Sequence, residues 1–210
     1  MSVTINGNGT ISGYEPVANG SITAAKLASG AISAASLPAG SILQVVNTNT
    51  SSPTDTITLS SNGTFYGWAA LDTTITTLSA NSKLIISCQV FGEANADDIL
   101  IAFAWQRGIS GTFTDFILGD NSSSSRRAVT AMMGAGGRDS DNYSTPSCTV
   151  LPPLVDAPSQ AAGTAITYRI GISKQSGSVG YFYANRSNGT NNDASYERGV
   201  SWMTVMEIKA

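Results

Sequence analysis

Past residue 41 the chain offers short strands and no helical period, and this narrows its fold more than any other feature. Apolar or alternating runs recur at roughly eight- to twelve-residue spacing, each closed by Gly, Asn, Pro or Ser. They fall at 41–47 (SILQVVN), 56–60 (TITLS), 64–68, 73–78 (TTITTL), 83–91 (KLIISCQVF) and 99–106 (ILIAFAWQ). More follow at 112–118, 128–133, 147–155, 165–173 (AITYRIGIS), 179–185 (VGYFYAN) and 200–209. Asn62-Gly63 marks a turn between two of them. Ile75 opposes Thr74 and Thr76, as in a strand with one face inward. The runs 83–91 and 99–106 are almost continuously apolar, which predicts cover on both faces. Pro152-Pro153 suits 147–155 to an edge or an extended crossing rather than a central strand. The segments 165–173 and 179–185 are expected to form a hairpin across Gly177, with Phe182 inside and Tyr181 and Tyr183 on the other face. The expected class is all-β: an antiparallel, jelly-roll-like β-sandwich over residues 42–210.

Composition agrees. Charged residues make up 12% of the chain, about half the ordinary share. Ser, Thr, Asn, Gly and Ala take their place, which suits uncharged β-faces rather than a helical bundle. Net charge is −3, and Arg126-Arg127 is the one adjacent basic pair, so no nucleic-acid partner is expected. No apolar run is long enough for a membrane-spanning helix, so no membrane insertion is expected. The opening MSVTINGNG has neither the basic nor the apolar region of an export signal. Cys88 and Cys148 are accordingly read as reduced, core-packed thiols.

The sandwich is preceded by a ladder. Gly20, Gly30 and Gly40 are each followed two residues on by isoleucine (Ile22, Ile32, Ile42), with Leu27 and Leu37 midway. An apolar anchor every five residues fits neither a helix nor a strand. Alanine-rich TAAKLA and SAASL favour helical turns, while Gly30, Pro38 and Gly40 stop them. The preferred reading is an extended-turn-extended rod over 19–41 whose anchors point at a shared axis. Units this small become stable only against neighbours. Three chains around one axis would bury Ile22, Leu27, Ile32, Leu37 and Ile42, each worth about 1.5–3 kcal/mol. Residues 1–18, polar and glycine-rich, read as an anchoring arm.

The run GSITAAKLASGAISAASLPAGSILQVV resembles the connector of bacteriophage tail-fibre and virion structural proteins, those of marine phages in particular. There a Gly-x-Ile repeat passes through Pro-x-Gly-Ser-Ile-Leu-Gln-Val into a β-domain; here that passage is Pro38–Val45. The closing SWMTVMEIKA resembles the last strand of such domains. The resemblance covers about a fifth of the chain. It implies a virion protein assembled as a homotrimer, docking to other virion proteins through its arm and displaying the sandwich for host attachment. It further implies that the final strand lies at the centre of a sheet near a three-fold axis. The alternative in the same class is a capsid decoration or head-fibre protein. A carbohydrate-active enzyme and a ligand domain of the C1q or tumour-necrosis-factor kind are the competitors from other classes.

No catalytic constellation is legible. The chain has no histidine, so neither a Ser-His-Asp triad nor a histidine metal site can be built. Glu93, Asp97 and Asp98, and Asp139 and Asp141, are the carboxylates close enough in sequence for glycosidase work. They read better as solvated turn residues. Asp139-Ser140-Asp141-Asn142 has alternating oxygens that could suit Ca²⁺, but lacks the Gly and distal Glu of an EF-hand and reads as a surface turn. No enzyme activity, cofactor or metal is expected. A glycan-facing surface is the remaining candidate. Tyr181, Tyr183 and Tyr196, with Trp105 and Trp202, could stack on sugar rings, and Asn185, Asn188, Asn191 and Asn192 could bond hydroxyls. Such aromatics serve as readily in a core or subunit interface.

Overall fold

The structure, a computed structural model, describes residues 4–5, 11–12, 32–95, 99–116, 119, 128–133, 146–176, 180–188 and 197–210. The chain divides into two compact units, Met1–Leu37 and Pro38–Ala210. In the first, β1 (Thr4–Ile5) and β2 (Ile11–Ser12) pair antiparallel. Further on, a 3-10 turn spans Ala34–Ser36 between extended Ser33 and Leu37. The described part of the rod expected there, from residue 32, therefore contains a helical turn, because Ala34-Ala35 satisfies its local preference before the chain is forced straight towards Pro38. Ile22 and Leu27 lie outside the described residues; Ile32 is exposed and Leu37 half-buried.

Among the described residues the second unit holds eleven strands: β3 (Ile42–Thr50), β4 (Thr56–Leu59), β5 (Tyr66–Thr76), β6 (Lys83–Ala94), β7 (Ile101–Ile109), β8 (Thr112–Phe116), β9 (Ala131–Met132), β10 (Ser147–Asp156), β11 (Ala165–Lys174), β12 (Gly180–Ala184) and β13 (Ser201–Ile208). They form two antiparallel sheets that pack as a sandwich. In the first, β6 is central. β10 lies on one flank, and β13 then β3 on the other. Where β13 ends, β12 takes over that flank at Gly92–Ala94 and carries β4 outside it. The second sheet runs β5-β11-β7-β8, with β9 pairing β7 beyond β8.

The pairings nest. β3 pairs with β13, β5 with β11, β6 with β10 and β7 with β8. One long hairpin has been rolled so that alternate strand pairs fall in opposite sheets, which is the jelly-roll arrangement. Its innermost turn is Ser110-Gly111, both at positive φ (53° and 83°), the backbone that a two-residue hairpin demands. The last strand is internal to its sheet, between β3 and β6, as the resemblance implied.

Several expectations change. The segments 165–173 and 179–185 do not form a hairpin. β11 lies between β5 and β7, and β12 between β4 and β6 in the opposite sheet. Nested pairing requires the chain to cross the sandwich there, and local turn chemistry does not reveal that. The runs 64–68 and 73–78 merge into one strand, β5, whose pairing with β11 shifts register between Tyr168 and Ile170. Cys88 is buried in the core, where burial pushes its thiol pKa up. Cys148 is exposed: it lies opposite Phe91, on the outward side of β10. β10 is an edge, and its pairing with β6 shifts at Pro152-Pro153, which can supply no ladder N–H. β7 is buried on both faces from Ile101 to Trp105, but β6 alternates buried with half-buried.

The core is the seam between the sheets. Phe103 and Phe182 cross it edge-on, with centroids 6.2 Å apart at 86°. Ile75, Ile86, Leu151, Ile166 and Val205 are fully or almost fully buried around them. Trp105 Nε1 is buried at this depth with no hydrogen-bond partner, but the polar side chains that bridge the sheets are paired. Tyr168 Oη donates to Asp156 Oδ2 (2.6 Å), and Arg107 donates to both oxygens of the same carboxylate (2.7 and 2.9 Å). This links β10 of the first sheet to β7 and β11 of the second.

Candidate functional site

The end of the first sheet built by β4 and β12 carries the aromatic surface. Phe182 points inward and is fully buried, so the alternation of a strand turns Tyr181 and Tyr183 outward. Tyr181 lies opposite Thr58 and Tyr183 opposite Thr56, which makes a ladder of two phenols beside two exposed hydroxyls. Tyr181 is 38% exposed and Tyr183 half-buried. The reason is Arg186, whose guanidinium lies 4.2 Å from the centre of the Tyr183 ring. It donates to Ser187 O (3.0 Å) and reaches Thr56 Oγ1 (3.4 Å). Arg186 also forms a backbone bridge with Arg198, bringing two cationic residues side by side.

A shallow open cleft of about 440 Å³ adjoins this surface through Thr56 and is lined by Thr54–Ile57 and Trp68–Ala70. Its geometry is held by Trp68 Nε1, which donates to Asp55 Oδ2 at 2.7 Å. The combination of a flat aromatic face, a fixed guanidinium, hydroxyls and a cleft is chemistry suited to a hydroxylated, weakly anionic ligand. Arg186 and the cleft could not be found from sequence, because Thr56, Trp68 and Arg186 come together only when β12 docks against β4.

The other candidates separate. Asn185 is fully buried in a left-handed turn (φ 60°), its amide donating to Ser52 O (3.2 Å) and accepting from Ser201 Oγ (2.7 Å). It holds the turn after β12 and does not reach the surface. Trp105 is wholly buried in β7 and offers no sugar platform; Trp202 is half-buried on β13. Glu93 is 2% exposed and accepts from the backbone N–H of Asn188, so it is a fixed structural carboxylate rather than a solvated one. Tyr196, Asn191, Asn192, Asp97, Asp98 and the 139–142 loop lie outside the described residues. Among the described residues no three His, Cys, Asp or Glu side chains cluster as a metal site.

No protein-family profile and no curated protein matches this chain. Solved structures similar to it include the infectious bursal disease virus VP2 subviral particle, 13% identical with a TM-score of 0.37, covering 79% of this chain and 41% of that one. The Gt strain of the same virus is 16% identical with a TM-score of 0.39, covering 81% and 43%. Eiger TNF from S. frugiperda is 7% identical with a TM-score of 0.33, covering 78% and 91%. The chain thus spans about two fifths of the viral chains it resembles.

Proposed function

We propose that this chain is a structural attachment protein of a bacteriophage particle. It is a homotrimeric, non-enzymatic fibre or adhesin that docks by its N-terminal segment and presents the sandwich to host surface glycans. One observation supports the reading: Ile42, where the sequence enters the sandwich, and the tyrosine surface are in register with opposite ends of one strand. Ile42, the last rung of the ladder, pairs with Ile208, which pairs with Lys83 at the start of β6. Tyr183 pairs with Glu93 at the far end of β6. The ten steps along β6 from Lys83 to Glu93 span about 34 Å at strand rise. A domain tethered at one end and aromatic at the other is built to display. Three such ends on one particle would convert weak sugar contacts into avidity.

The alternative in the same class, a capsid decoration or head-fibre protein, needs the same sandwich but not the patch. Glycan-array binding by the full chain separates the two. Attachment predicts selective binding to acidic glycans, lowered at least tenfold by Tyr183→Ala or Arg186→Ala, with no release of sugar products. An array blank at all concentrations defeats the attachment reading, and release of cut glycan defeats the non-enzymatic one.

A further inference from the structure

The two outward faces of the sandwich differ in kind. That of the second sheet is closed on itself. Arg169 grips Asp72 with two hydrogen bonds (2.7 and 2.6 Å) and lies 3.9 Å over Phe113. Gln106 Nε2 donates to Asp115 (2.8 Å), and the Thr74 and Thr167 hydroxyls bond each other (2.8 Å). Polar groups are paired, and the face suits water.

The first sheet presents a mixed face: its middle outward row, Asn47, Thr204 and Ser87, is polar, with Asn47 Nδ2 donating to Thr204 Oγ1 (2.7 Å), and more apolar rows flank it. Read across its register, Val45, Met206, Ile85 and Val155 stand in one straight outward row over four strands. A second row runs Asn49, Trp202, Gln89, Val150, and a further pair is Phe91 and Cys148. Val45, Val150 and Val155 are 56–60% exposed. Lys83, at one corner, is the only charged residue at these outward register positions, in a chain of net charge −3.

We infer that this β3-β13-β6-β10 face is where copies of the chain pack on one another. The inference deepens the trimer in the functional reading above and rests on it. On its outward side β6 carries Ile85 and Phe91 between Lys83, Ser87 and Gln89, and the two apolar side chains gain from cover. The single chain gives that cover to β7, but among the described residues leaves the second face of β6 half-open. The neutrality of the face suits a second copy in particular. Copies that each carry net negative charge repel, and they approach at least cost through a surface without carboxylates. The size also fits. Four strands about 4.8 Å apart and nine residues at about 3.4 Å give a plan area of roughly 500 Å². Side-chain relief brings that towards the ~800 Å² per partner of a stable interface. Finally, Ile42, the last rung of the ladder in the sequence, is itself an exposed residue at the corner of this face.

Light scattering on the full chain, with alkylation of Cys148 as a footprint, tests this. Cys88 is buried and inert, so Cys148 reports alone. The expected result is a mass near three times 21.6 kDa and Cys148 labelling slowed at least tenfold relative to denatured protein. The double variant Val45→Asp/Val155→Asp should fall to single-chain mass with rapid labelling. The milder Val45→Thr/Val155→Thr keeps strand preference and should raise the dissociation constant at least tenfold. A monomeric wild type with freely labelled Cys148 overturns the inference, as does an aspartate variant that folds and stays assembled. Glycan binding is scored separately. An assembled wild type that binds no glycan sinks only the attachment reading, whereas a monomer that binds glycan sinks this inference and the trimer of that reading but leaves attachment standing.

Discussion

Gln44 Nε2 donates to Glu207 Oε2 at 2.6 Å, fastening the first strand of the sandwich to the last across directly paired positions. Glu207 is fully buried, yet its carboxylate is surrounded by donors. Ser82 Oγ (2.6 Å) and the backbone N–H groups of Leu78 (2.9 Å) and Ser79 (3.1 Å) complete the set. One carboxylate thus closes the β5–β6 loop onto β13 and β3.

The first prediction concerns acid. Burial alone would raise the Glu207 pKa, but bonds from Ser82, Gln44, Leu78 and Ser79 outweigh it and hold the group below its ordinary 4.5. A folded pKa below the unfolded one contributes stability that is present above pH 4.5 and lost as pH falls through the folded value. Thermal melts of wild type and Glu207→Gln should therefore differ by several degrees at pH 7 and converge in strong acid. Parallel melting curves at every pH would contradict this.

A second prediction tests the cross-sheet clamp. Asp156→Asn leaves Arg107 in its partly buried site without its carboxylate, and should cost about 3 kcal/mol. Tyr168→Phe removes one charge-assisted bond and should cost about 1–3 kcal/mol. Because both act on one network, urea denaturation of the double variant should show a loss clearly smaller than the sum. Simple additivity would mean the two contacts are independent.

Asn185 separates structure from binding. Asn185→Ala loses two buried side-chain bonds and places alanine at φ 60°. It should lower stability by about 2–4 kcal/mol. At temperatures where the variant is folded, glycan affinity should match wild type, as read by calorimetry. Tyr183→Ala should do the reverse: near-wild-type melting and lost binding.

The last prediction divides the two apolar surfaces. The unit Pro38–Ala210 contains the whole sandwich and its outward face. Expressed alone, it should retain trimeric mass, with a dissociation constant raised by the loss of the ladder. Sedimentation showing only monomer would return the assembly role to the repeat.

The strand series, the all-β class and the jelly-roll-like sandwich were legible in the sequence because alternation and turn residues are local. Phe182 inward with Tyr181 and Tyr183 outward followed from a period of two. That 147–155 is no central strand followed from Pro152-Pro153. Which strand meets which did not follow. AITYRIGIS and VGYFYAN are separated by a short turn-forming stretch, yet they enter opposite sheets, since pairing is set by nesting across the whole chain. Cys148 and Asn185 were misplaced for the same reason. Their neighbours, Phe91 for one and Ser52 and Ser201 for the other, are distant in sequence.

Sequence alone therefore determined what each strand can bury and where the chain must turn, because those depend on a few adjacent side chains. Tertiary structure decided how the strands combine. It placed Val45, Met206, Ile85 and Val155 in one row and set Arg186 upon Tyr183. It also put Ile42 and the tyrosine surface in register with opposite ends of β6. The row and the placement along β6 rest on register between strands that can be more than 160 residues apart, as Gln44 and Glu207 are, 163 residues apart, and no local pattern encodes them.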